Sequence, residues 1–392
     1  MAIQKVPGRM IQLDNQANSD VVYFDGTDWV RLEKGEAGDV LTVNEDANAP
    51  QWGAACVFPG TQFGYVCGGY MGKSPDDTSG PSVHYGTAIQ KFSLTTDGNA
   101  TNVADIISTR RGQSGHSSST HGYVTGGATG DPQVQVNSIE RFSFTTDGNS
   151  VDWADLTETK RNNAIPMSTC TDGFTLGGND DTGTTDRIDK FPFASQTNAT
   201  DWADATVVKS GGAGCSSETH GYCLGGVITG GASVNVIEKF PYATQTDATD
   251  VADLTLARQG PAGVSSETDG YAAGGVTIGT NPANSAPLWD RTNIDKHSFA
   301  SGGNSTDHGD LPVELGAGAH GNAGVSGETH GYSVGGIFSR NSSNHQWPRE
   351  QIEKFSYASN VTATDVGDLQ QAGTANPSGT NWGMDSCSGH QF

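Results

Sequence analysis

The sequence predicts an all-β fold of β-propeller type, and three observations carry that expectation. One three-part unit occurs six times between residues 64 and 369, the step from its second to its third part never changes, and the composition disfavours helices. Glycine accounts for 54 of 392 residues, about twice ordinary usage. Charged residues make up 17% and hydrophobic residues 34%. The remainder is rich in Ser, Thr, Asn and Asp, which compete with helical backbone hydrogen bonds and favour turns.

The first part of each unit is a Gly-aromatic-x-x-Gly-Gly element, starting at Gly64, Gly122, Gly173, Gly221, Gly270 and Gly331. It reads as a strand, B, entered from a tight turn (THG or TDG) that closes a small, polar strand A. The second part, strand C, starts at Ile89, Ile139, Ile188, Ile237, Ile294 and Ile352 and continues with an acid or amide, then a base. The residues three and five after the Ile fall on one face and the Ile on the other, so both faces are apolar and must be covered. The third part, strand D, ends on Asp105, Asp155, Asp204, Asp253, Asp310 or Asp368, each 16 residues after its Ile. Four-stranded sheets stacked face to face around an axis satisfy two apolar faces at once. Six blades are expected, with the stretch from Gly373 onward adding a closing strand. A seventh blade, drawn from the C-terminal stretch and part of residues 20–32, is the alternative count.

Several chemistries find no support. The net charge of −23, with no basic stripe, opposes nucleic-acid binding. No apolar run approaches the ~20 residues of a membrane span, so no membrane insertion is expected. The opening MAIQKVPGRMIQLDNQ lacks the apolar core of a signal peptide. Six cysteines occupy non-equivalent repeat positions without zinc spacing, and are expected to be small, reduced thiols. His121, His220 and His330 stand where other units have Asp172 and Asp269, which suits a turn role. Asp97-Gly98-Asn99 and Asp147-Gly148-Asn149 fall where a C–D turn is required and lack the bidentate Glu of a calcium loop. Neither metal, cofactor nor catalytic residues are expected, and the chain is not read as an enzyme.

The order Gly-Gly, aromatic, Trp and Arg or Lys is similar to the kelch repeat. Gly126, Gly127, Phe142, Trp153 and Arg161 show it best, followed by Gly177, Gly178, Phe191, Trp202 and Lys209. Four units depart from it, with Val103, Val251, His308 or Val366 in place of Trp. The phrases THGY, TDGNAT and DVGDL resemble those of propeller proteins of marine bacteriophages. Residues 21–53, with Tyr23, Asp25, Gly26, Trp29, Gly38 and Trp52, look like a module of phage tail fibres. These resemblances imply a domain at 1–52 for virion attachment and oligomerisation and a kelch-like propeller at 53–392. They also imply a virion protein made in the host cytoplasm, a homo-oligomer that touches other virion structural proteins through its N-terminal segment. A capping strand pair of the propeller is the other reading of the N-terminal segment.

Within the units, only the connector from strand B to strand C varies: 20, 12, 10, 11, 19 and 16 residues separate the second Gly from the Ile. Length variation belongs to surface loops, where recognition concentrates. The long connectors fall in units 1, 5 and 6, which ring closure makes neighbours. They carry Tyr70, Tyr85, Trp289, Arg291, His345, Trp347 and Arg349. Aromatics with Arg suit binding of a host-surface receptor or a glycan. A structural decoration of capsid, neck or tail is the rival expectation, and a glycan-cleaving enzyme the third.

Overall fold

A computed structural model describes residues 20–35, 39–43, 49–54, 62–72, 83–129, 134–159, 164–179, 183–277, 289–290, 292–312, 322–339 and 346–370. The chain divides into two compact units, 1–57 and 58–392. The described residues of the first form two antiparallel hairpins, Val21–Phe24 with Trp29–Leu32 and Asp39–Val43 with Pro50–Ala54. In the first hairpin, Asp25 Oδ1 accepts from the amides of Thr27 and Asp28, both at 2.8 Å. Gly26, at φ 102°, lets the chain reverse there.

The second unit is a six-bladed β-propeller of small antiparallel sheets. Blade 2 shows the plan: strand A is Ser114–Ser117, B is His121–Thr125, C is Ser138–Ser143 and D is Val151–Asp155. Blades 3, 5 and 6 repeat this order, and blade 4 adds Lys209–Ser210 beside its long strand B, His220–Ile228. In blade 1 the described strands are Phe63–Cys67, Ala88–Ser93 and Thr101–Asp105. The expected closing strand from Gly373 lies outside the described residues.

The first Gly of strand B is dictated by strand C. The Phe three residues after the Ile lies across it: a Cβ on Gly122 would sit 2.3 Å from Phe142 Cζ, and one on Gly331 equally close to Phe355 Cζ. Each Ile is fully buried on the other face. Strand C then meets strand D through a bulge, as between Ile139 and Glu140, where Ala154 and Asp152 are paired and Trp153 is skipped. The extra residue is thereby re-aimed: the Arg141 guanidinium lies 3.6 Å from the Trp153 ring centre, and Lys190 lies 4.3 Å from that of Trp202.

Blades are joined by a repeated set of contacts. The strand D Asp carbonyl accepts from an amide of the next blade's C–D loop, as in Ser150 to Asp105, Ala199 to Asp155 and Ala100 to Asp368. The amide of the same Asp donates to a side chain of that loop: Asp105 to Asn149, Asp155 to Asn198, Asp204 to Asp247, Asp253 to Asn304 and Asp368 to Asn99. The Asn of the calcium-like triplets is therefore a bridge between blades. Near the axis, strands A abut through backbone. A Cβ on Gly324 would fall 1.9 Å from Gly263 O. Ser168, Ser216, Ser265 and Ser326 hydroxyls each accept from the strand A amide of the preceding blade. Phe92 and Ala100 of blade 1 share a core with Val325 and Tyr332 of blade 6.

Cys67, Cys215 and Cys223 are buried free thiols. Burial pushes the latter two up to about 12, which keeps them protonated and inert. Cys170 corrects the expectation of six reduced thiols, since it is disulfide-bonded. It stands half-buried on an A–B turn, where a sulfur can reach a partner that core thiols cannot.

Candidate functional site

The antiparallel order A-B-C-D sends all B–C connectors to one end of the ring and the A–B turns and C–D loops to the other. At the connector end, strand B of every blade but the fourth stops at its double Gly, whose backbone bends at positive φ (62° and 93° at Gly126 and Gly127). The second Gly is pinned by the next blade. Gly69, Gly178 and Gly226 amides donate to the carbonyls of Arg110, Lys209 and Arg258.

Those same three basic residues are buried, and each meets the acid of strand C in its own blade. Arg110 pairs with Glu140, Lys209 Nζ lies 2.5 Å from Glu238, and Arg258 lies 2.8 Å from Asp295. Each acid also receives an amide from the preceding strand D exit: Ile107 to Glu140, Thr206 to Glu238 and Thr255 to Asp295. A buried charge is tolerable only when paired and hydrogen-bonded in this way. In blade 1 the pair is neutral, Gln90 exchanging hydrogen bonds with the Gln370 backbone.

Blade 6 solves the same problem differently. The chain entering it, residues 311–322, contains no Lys or Arg, and Pro312 stands where the other exits offer an amide. Arg349, at the end of the B–C connector, supplies the charge to Glu353. It is 4% exposed. Arg349 is thus corrected from a contact residue to a ring residue, because leaving Glu353 without a cation would strand a buried carboxylate.

The connectors of blades 1, 5 and 6 rise as hairpins. Tyr70 and Tyr85 face each other in register in the hairpin of Tyr70–Gly72 and Val83–Tyr85. Trp289 pairs with Thr277, and Trp347 with Phe338. Strand Trp289–Asp290 of blade 5 lies against Ile337–Ser339 of blade 6, so these two connectors are neighbours. Arg291 and His345 lie outside the described residues. The same end also exposes Ile107, Val134, Val207 and Leu256 at 57%, 60%, 43% and 38%. Three of these are strand D exits. Their signal was present in the sequence as an apolar residue one position after buried Ile106, or two positions after buried Ala205 and Leu254, where a polar turn is ordinary.

At the opposite end the histidines have a turn role. Nδ1 of His121, His220 and His330 lies within hydrogen-bond distance of the preceding Thr hydroxyl, at 2.8 Å, while Asp172 and Asp269 accept from theirs at 2.7 Å. Burial, then the nearby Arg141, Lys239 or Lys354, holds these imidazoles below their ordinary range. Among the described residues, no cluster of three or more His, Cys, Asp or Glu is placed to hold a metal ion. No protein-family model and no curated protein matches the chain.

Proposed function

We propose that this protein is a non-enzymatic virion appendage of the tail-fibre kind, whose kelch-like propeller binds a host-surface receptor or glycan through its B–C end. The observation that carries the reading is where the variable length sits. The three longest connectors stand on blades 5, 6 and 1, which are consecutive in the closed ring, and two of them touch. Independent loop growth has no reason to cluster in this way. Aromatic side chains provide contact area at little entropic cost, and they suit sugar rings as well as protein partners. Buried charge pairs fix the connector roots of blades 5 and 6.

The N-terminal unit serves attachment and association between copies. Isolated two-stranded hairpins are marginal in water, and Phe24 and Trp29 remain half exposed, with their rings 5.6 Å apart. That apolar surface is available to other virion proteins or to further copies of the chain. Competition tests the reading: purified full-length protein added to host cells should block adsorption of the particle in proportion to its concentration. Undiminished adsorption at saturating protein would contradict it.

A further inference from the structure

The six seams of the ring are alike on their aromatic layer except for one. At five of them the strand B aromatic of one blade stacks on the aromatic five residues after the Ile in the next. The pairs are Tyr65–Phe144, Tyr123–Phe193, Phe174–Tyr242, Tyr222–Phe299 and Tyr271–Tyr357, with ring centres 4.7, 4.5, 4.7, 4.6 and 5.0 Å apart. At the seam between blades 6 and 1 the second partner is Leu94. A second departure falls at the same seam. The A–B turns of blades 2 to 5 carry Ser118, Thr169, Ser217 and Ser266, whose hydroxyls accept from the turn amides. Blade 6 has Gly327 instead, and a Cβ there would meet Tyr332 Cε2 at 3.3 Å and Leu94 Cδ1 at 3.9 Å.

Both changes remove side-chain volume beside the Tyr332 ring, and a solvent-open cleft of about 340 Å³ lies there. Leu94, Thr95, Gly327, Glu328, His330 and Lys354 are among its lining residues. It is open to solvent on one side, as a site for an incoming ring must be. Tyr332 is held in place from behind, its hydroxyl donating to Leu94 O at 3.1 Å. Lys354 at the cleft wall spends one donor on Asp97, at 3.0 Å, and an ammonium has three.

We propose that this seam is a binding site for an aromatic ring bearing an oxygen acceptor. The ring lies beside Leu94 against Tyr332, in the space that the Phe or Tyr side chain reaches at the other five seams, and Lys354 donates to the oxygen. The site lies on the turn end of the propeller, away from the B–C connectors, and does not depend on the role given to them. The molecule itself indicates what fits, since five seams of the same build already seat such a ring. The source of the ring, a free phenol or a tyrosyl side chain, is distinguished by the probes.

Full-length protein is titrated with p-cresol, N-acetyl-tyrosinamide and cyclohexanol while ligand-observed saturation-transfer NMR is recorded. Millimolar binding of either aromatic probe is expected, with cyclohexanol at least tenfold weaker. Tighter p-cresol indicates a free phenol, and tighter N-acetyl-tyrosinamide a peptide-borne ring. Leu94→Phe restores the repeat and should abolish binding while leaving the melting temperature equal or higher. Gly327→Ser, the milder filling, should weaken binding at least threefold. The proposal is overturned if no aromatic probe binds wild type, if cyclohexanol binds as well as they do, or if both filled variants bind unchanged. Should Leu94→Phe fail to fold, an unchanged affinity in Gly327→Ser alone overturns it.

Discussion

The root and the tip of the blade 6 connector obey different rules, although Trp347 and Arg349 stand two residues apart. Arg349 is fixed by the ring: it is buried and paired with Glu353, doing for blade 6 what Arg258 does for blade 5. Trp347 sits in the connector hairpin, five residues before Ile352 as Trp289 is before Ile294, and the connectors that carry these two differ in length. An Arg beside aromatics in a variable loop is an ordinary mark of a recognition surface. Here it marks the place where the ring ends and the free surface begins. Residue type is therefore a weaker guide to role than what the neighbouring blade leaves unsatisfied.

The largest expected effect tests the root. Arg258→Ala and Arg349→Ala should each cost about 3–5 kcal/mol in urea unfolding, because each strands a buried carboxylate. Arg349→Met combined with Glu353→Leu should recover most of that loss. If Arg349→Ala unfolds like wild type, Arg349 belongs with the tip. The bridge between blades is worth less. Asn149→Ala removes one hydrogen bond to the Asp105 amide and should cost about 1 kcal/mol. Trp347→Ala should leave the urea midpoint unchanged, and a loss as large as that of Asn149→Ala would place Trp347 in the ring.

Much of the ring was legible in the sequence because a repeat reports its own constraints six times. The constant step to strand D, the two apolar faces of strand C and the interchange of His with Asp in the A–B turns each followed from aligned residues. The bulge at Trp153 was not legible, since a skipped residue changes no spacing. Asn99 and Asn149 satisfied turn chemistry well enough to hide their bond to another blade. Arg349 could have been found from two facts together, the missing base in residues 311–322 and Pro312, but only once the acid of strand C was known to be buried. The Cys170 disulfide left no repeated trace at all.

The smallest effect concerns acid. His297 takes the place of the strand C Phe in blade 5 and is fully buried, with Nδ1 3.1 Å from Gly303 O. Burial lowers its affinity for a proton against the opposing pull of that carbonyl. The folded state therefore holds it neutral while the unfolded chain titrates near 6.5, so its contribution is present above pH 6.5 and is lost as pH falls below it. His297→Phe should flatten the decline in stability between pH 6.5 and 5 without changing it at pH 8. An unaltered slope would assign the decline to other groups, with His121, His220 and His330 of the same sign next in line.

The division between ring and surface is tested most directly by comparing the two ends of the propeller in one adsorption assay. Tyr85→Ala, Trp289→Ala and Trp347→Ala are combined in one full-length variant, and His121→Ala with His220→Ala in another. The first should lose at least tenfold in binding to host cells with its melting temperature held, on the order of 2 kcal/mol for a single central aromatic. The second should bind as wild type does. Loss in the second variant with binding intact in the first would place recognition at the turn end and contradict the account.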